Sequence, residues 1–127
     1  MKLHLSPPSG TPLVTAIGNG FVEVNRVRYL HSILVTTEAV QAWAVPDLMA
    51  LTRDTLQHLV AARPELILLG TGAQHRFPAP AVYQDLINAG IGVEIMQTDA
   101  ACRTFNYLAS EGRRVVAALI IEAVNPA

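Results

Sequence analysis

The residues whose types and spacing come nearest to chemistry lie in one loop: Gly70-Thr71-Gly72-Ala73-Gln74-His75-Arg76. It follows the apolar run Leu66-Ile67-Leu68-Leu69 and precedes a helix expected to begin near Pro80. Open α/β sheets bind ligands at this position, beyond the carboxyl ends of their strands. Glycines let backbone N–H groups come close to an anion, and Arg76 could pair with that charge. The nucleotide fingerprints do not fit. A dinucleotide loop needs a third glycine where His75 stands, no Gly-Lys-Ser/Thr is present, and the helix starts too late for a tight phosphate turn. The same glycines also serve a plain structural purpose, a sharp exit from the sheet.

Other candidates each have a structural reading beside the chemical one. Cys102 lies near a helix start, where the helix dipole can lower a thiol pKa, yet it falls on the apolar stripe with Phe105 and Ala109. Free cysteine is among the most buried residue types, so packing explains it. His4, His31, His58 and His75 lack the close spacing of a zinc site, and no metal is expected. His58 is placed on the solvent side of its helix. Asp47, Asp54 and Asp99 precede or open helices, where negative charge complements the dipole. Glu94 stands inside the apolar strand 92–96 and should face an edge, a cleft or a partner such as Arg113 or Arg114. Asn106, a poor helix former within a helix, suits either a site or a structural hydrogen bond. Trp43 is assigned to the core or an interface.

Composition bounds the possibilities. The chain has 127 residues, one domain's worth. It is 51% hydrophobic and 15% charged, which fits a compact globule and argues against disorder. So few charges suggest that some apolar surface is covered, by a partner or a second copy. Nine basic residues balance ten acidic ones for a net charge of −1, without the basic stripe that nucleic-acid binders use. A single cysteine indicates a reducing, cytoplasmic setting. Residues 1–8 carry no apolar h-region, so no signal peptide is read. No apolar run approaches the ~20 residues that span a bilayer.

The elements that position these residues divide the chain in two. Residues 1–12 read as an irregular tail and residues 13–127 as one domain. From 13 to 37 the pattern is β, with Phe21-Val22-Glu23-Val24 and Val27-Arg28-Tyr29 joined at Asn25-Arg26 as an N-terminal hairpin. Asn tolerates φ > 0 there, but Arg replaces the Gly that such turns favour, which leaves room for a longer or bulged turn. Trp43-Ala44-Val45 reads as a short strand. Thr52 caps a helix with Thr55, Leu56, Leu59 and Val60 on one face, stopped by Pro64. The run 66–69 reads as a strand buried on both faces. A second helix buries Val82, Tyr83, Leu86 and Ile87 and closes at Gly90. After strand 92–96, Thr98 caps a third helix with Ala101, Cys102, Phe105, Leu108 and Ala109 inward. Residues 115–121 form the last strand. The alternation predicts an α/β domain in three layers, a central mixed, mostly parallel sheet flanked by helices.

Taken together, Leu68-Leu69-Gly70-Thr71-Gly72, Phe77-Pro78-Ala79-Pro80, residues 90–98 and Ala101-Cys102-Arg103-Thr104-Phe105-Asn106-Tyr107-Leu108 through Glu111-Gly112-Arg113 resemble the domain of unknown function 498 family. The resemblance covers nearly the whole chain and rests on the ordered set. It implies a three-layer α/β fold around a mixed sheet and no established catalytic activity; no cofactor is expected. Eukaryotic members are associated with assembly of respiratory complex I or with regulatory roles. Asn25-Arg26 stands where the family commonly has an Asn-Gly-like turn, and no Arg- and Ser-rich transit segment is read. The expectation is a non-catalytic accessory protein that binds other proteins, present as a monomer or small homo-oligomer, without nucleic-acid binding or membrane insertion. The alternative is a small-molecule or anion-binding protein, or an unrecognised enzyme, using Gly70, Thr71, Gly72, His75 and Arg76 with Glu94, Asn106 or Arg113 nearby.

Overall fold

Alternating apolar residues in the first third of the chain give way to longer apolar runs separated by helical periodicity, and the fold follows that division. The computed structural model describes residues 11–124; most of the expected tail therefore lies outside the described residues. Pro12 is already buried.

Strands β1 (Val14–Gly18), β2 (Phe21–Val24) and β3 (Val27–Tyr29) form an antiparallel sheet in that order, so the expected hairpin is part of a three-stranded sheet. Its Asn25-Arg26 turn is tight rather than bulged. Val24 and Val27 pair directly, and both turn residues have positive φ, 49° and 71°. That geometry matches the right-handed twist of the flanking strands. The strain of a left-handed arginine is held by external bonds. Arg26 N donates to Thr15 Oγ1 at 3.1 Å, and Leu13 N donates to Asn25 Oδ1 at 3.0 Å. Thr15 is free for this because the β1–β2 register skips it in an irregularity between Val14 and Ala16.

A second sheet comprises β4 (Ile33–Val35), β5 (Val40–Ala42), β6 (Leu66–Gly70), β7 (Gly92–Met96) and β8 (Val115–Leu119), in the order β5-β4-β8-β6-β7. β6 runs parallel to β7 and β8, whereas β4 runs antiparallel to β5 and β8. The sheet is thus evenly mixed, not mostly parallel. The reason lies in the connections. A short turn joins β4 to β5 and forces them antiparallel, while helices join β6, β7 and β8 and permit parallel pairing. Those helices are α1 (Arg53–Gln57) and α2 (Leu59–Ala62) before β6, α3 (Gln84–Asn88) before β7, and α4 (Thr98–Ser110) before β8.

Several local expectations shift. The strand expected at Trp43 ends at Ala42, and Trp43 instead buries its indole, whose Nε1 donates to the Thr55 carbonyl at 2.9 Å. The helix expected after Thr52 breaks at His58, which is exposed as expected, and ends where Arg63 turns left-handed with φ 47°. Ile87 lies outside the buried stripe, 45% exposed. The third helix buries its predicted face, but Gln97 rather than Thr98 occupies the cap position.

The core divides on the two faces of the second sheet, as the period of two along each strand requires. Leu68, Ala117 and Leu119 face Val14, Val22 and Val24 of the first sheet and Cys102 and Phe105 of α4. Ile67, Leu69, Val116 and Ala118 face Leu56, Leu59 and Leu86 from α1, α2 and α3. All of β8 is buried, which accounts for its unbroken apolar sequence.

Candidate functional site

Beyond the carboxyl end of β6 the predicted loop is held by its own hydrogen bonds. Thr71 N donates to the Met96 carbonyl at 2.9 Å, and Thr71 Oγ1 donates to the Gln74 carbonyl at 2.6 Å. Gly72 N donates to Thr98 Oγ1 at 2.8 Å. The N–H groups that an anion would use at Thr71 and Gly72 are therefore already engaged. Arg76 turns to the Gln74 side-chain oxygen, and His75 packs on Phe77 with ring centroids 4.7 Å apart, all of them exposed. Gly70 and Gly72 have separate structural reasons. A Cβ on Gly70 would stand 2.9 Å from Thr98 Cα, and Gly72 has φ +95°.

Thr98 is the hub of this end of the sheet. Besides accepting from Gly72 N, its hydroxyl donates to the Ile120 carbonyl at 2.7 Å, and its own N–H donates to the Gly72 carbonyl at 3.0 Å. Ile120 N completes the ring of contacts by donating to the Gly70 carbonyl at 3.0 Å. Thr98 gives up capping α4 because its hydroxyl ties β6, α4 and the chain after β8 together.

Next to this hub opens a cleft of about 660 Å³, bounded by the β1–β2 turn, Gly72 and Ala73, the first residues of α4 and residues 120–124. Gly20, with φ +79°, closes the β1–β2 turn so near the outgoing chain that a Cβ there would lie 2.1 Å from Val124 Cγ2. The walls mix polar and apolar surface, the apolar part including Ile17, Phe21 and Ile121. Among the described residues the charged side chains in the lining are Asp99 and Glu122, with no lysine, arginine or histidine. Asp99 accepts from Ala100 N at 2.8 Å and stands 3.7 Å from Arg103. Glu122 makes no hydrogen bond or ion pair among the described residues, and its Oε1 lies where a Cβ on Gly72 would be only 2.3 Å away.

The remaining candidates are dispersed. Arg113 pairs with Glu65 at 3.3 Å, at the opposite end of β6 from the loop, and does not reach Glu94. The Glu65 carboxyl is held below its ordinary range, first by the Arg114 backbone N–H and then by the Arg113 side chain. Glu94 is exposed on β7, an edge strand rather than a buried one, in register with Leu68 at mid-strand. Asn106 is buried and bonds both polar groups of the Val14 backbone. Cys102 is fully buried, and loss of solvation pushes its thiol up to about 12, so it presents no thiolate. Among the described residues no group of three or more His, Cys, Asp or Glu side chains is placed to hold a metal ion. No helix among them is long and apolar enough to cross a membrane.

Of the predicted loop, only Gly72 and Ala73 border the cleft. Glu122 was missed because it follows the apolar run of β8 and its position depends on how that run ends. Gly18-Asn19-Gly20 has the residue types of a turn, but its meeting with residues 120–124 is a tertiary fact.

Comparisons with known proteins agree with this architecture. The chain is 42% identical to a Bordetella parapertussis protein of known crystal structure, with a TM-score of 0.85 over 91% of this chain and 100% of that one. It is 29% identical over 99 residues to a "13 kDa major membrane protein" of Francisella tularensis, covering 76% of this chain and 80% of that protein. It is 36% identical over 103 residues to human NADH dehydrogenase [ubiquinone] 1 alpha subcomplex assembly factor 3, covering 80% of this chain and 55% of the assembly factor. The chain thus spans little more than half the length of that human relative. Residues 14–120 match the family described as protein of unknown function DUF498/DUF598, and with nearly all of both core clusters inside that span, the chain belongs to this family.

Proposed function

We propose that this protein is a non-catalytic accessory factor that binds other proteins during assembly of a larger complex. The observation that carries the reading is its 36% identity, over 103 residues, to an assembly factor. The build of the candidate site supports it. The cleft is lined by backbone, glycines and apolar side chains, with Asp99 and Glu122 as its charged side chains among the described residues. In the three-layer reading of the packing, the cleft opens at the end of the middle layer, lined in part by Val22 and Ile121 of one core and Ile120 of the other.

Within this reading, residues 13–127 act as one unit in the cytoplasm, without membrane insertion or nucleic-acid contact. Gly70, Thr71 and Gly72 are the buried support beneath the recognition surface, and His75 and Arg76 form an exposed lip beyond the cleft, beside Phe77, itself 72% exposed. Glu94, Asn106 and Arg113 lie outside it. The test is gentle affinity purification of the tagged protein from its own cells, with size-exclusion chromatography and mass spectrometry. Stoichiometric recovery with subunits of one larger complex is expected. Recovery at the mass of a monomer or small homo-oligomer would overturn the reading.

A further inference from the structure

We propose that the cleft beside Glu122 receives an arginine or lysine side chain, flanked by an apolar residue, from a segment of a protein partner. This rests on the accessory reading and names the chemistry of the partner. Charge complementarity carries it. Among the described residues the lining contains two carboxylates and no cation, Arg28 lying outside it, stacked on Phe21 with 3.9 Å to the ring centroid. The two carboxylates attract a positive group.

The two carboxylates differ in what they have left to offer. Asp99 is partly committed to Ala100 N and Arg103. Glu122 makes no bond among the described residues, and it rests against Gly72 at a place that any side chain on residue 72 would occupy. Glu122 is exposed, so its carboxylate is open to a partner's charge.

At the start of α4, Thr98 N is bonded to the Gly72 carbonyl, Ala100 N to Asp99 and Ala101 N to the Gln97 carbonyl. The Asp99 N–H makes no hydrogen bond among the described residues, but the Asp99 carboxylate beside it opposes an anion there. The cleft thus presents mainly acceptors. The apolar part of its walls suits the methylene stem of a long basic side chain and an apolar neighbour. Its volume of about 660 Å³ leaves space for both. A guanidinium fits best, since its planar fork can bond a carboxylate through two N–H groups at once.

The test is an NMR titration of the full ¹⁵N-labelled chain with acetyl-Leu-Arg-Leu-amide, acetyl-Leu-Glu-Leu-amide and putrescine. The arginine peptide should give saturable shifts at Gly20, Gly72 and Glu122 that weaken with salt. Its affinity should fall about tenfold in Glu122→Gln, which removes the charge and keeps the shape. Equal binding of the glutamate peptide, no saturable shift at the cleft, or an unchanged affinity in Glu122→Gln would each sink the proposal. Putrescine binding as tightly as the peptide would make this a small-amine site and overturn it too. Purification of Glu122→Gln from cells separates the two ideas. A complex that survives the substitution leaves the accessory reading standing and removes the cleft from it. Wild-type protein recovered alone removes the accessory reading whatever the peptides do.

Discussion

The side-chain amide of Asn106 clasps the backbone of Val14 from 92 residues away: Val14 N donates to Oδ1 at 2.9 Å, and Nδ2 donates to the Val14 carbonyl at 2.8 Å. The amide stands in for a neighbouring strand on the edge of β1 that β2 leaves open, which is how a poor helix former has a place in the middle of α4. Asn106→Leu should strand both Val14 groups in a fully buried setting, at a cost of about 1–3 kcal/mol each. Urea denaturation should show a lower midpoint with an unchanged slope. A change under ~0.5 kcal/mol would mean that water or a local shift takes over the amide's role.

At the β2–β3 turn, Arg26 holds φ 71° in a two-residue turn. A left-handed conformation costs a residue with a Cβ about 1–2 kcal/mol. Arg26→Gly relieves that strain but adds freedom to the unfolded chain, so the net gain should be about 0.5–1 kcal/mol. Thermal unfolding checks it. The bond from residue 26 N to Thr15 Oγ1 involves only backbone on that side and should persist.

Gly72 and Glu122 should be energetically coupled. Gly72→Ala meets two penalties, a positive φ of +95° and a Cβ 2.3 Å from Glu122 Oε1. Glu122→Ala removes only the second. The double variant should therefore be more stable than the sum of the single effects predicts, by about 0.5–1 kcal/mol, in a double-mutant cycle. Strict additivity would show that Glu122 swings away freely.

Cys102 makes stability fall in alkali. Its thiol is raised from 9.0 to about 12 by burial, so between these values the unfolded chain releases a proton that the folded chain keeps. Stability from this group is fully present below pH 9 and is lost as pH rises towards 12, at up to about 1.4 kcal/mol per pH unit. Denaturation of the wild type and of Cys102→Ala between pH 8 and about 11 isolates the effect, because only the wild type should carry this slope. Alkylation of native Cys102 at pH 8 should be limited by unfolding.

The elements most legible in the sequence are those whose apolar pattern has a local cause. The buried face of α4 at Ala101, Cys102, Phe105, Leu108 and Ala109 was readable from the 3.6-residue period, and β6 from its unbroken apolar run. The direction of β4 was not readable, because three residues of Ile-Leu-Val are equally apolar beside a parallel or an antiparallel neighbour. Gly70-Thr71-Gly72 drew attention as a ligand loop because its residue types permit one. Its N–H groups turned out to be engaged by Met96 and Thr98.

The sequence by itself determined the family, an all-β beginning followed by alternating helices and strands, and the inward face of α4, because periodicity and turn chemistry act over a few residues. Tertiary structure alone decided that Asn106 would hold Val14, that Thr98 would leave its cap to bind Gly72 and Ile120, and that Glu122 would come to rest beside Gly72. Each of these joins groups more than twenty residues apart. Such groups meet only when packing of the two cores fixes where the ends of β6, α4 and β8 lie.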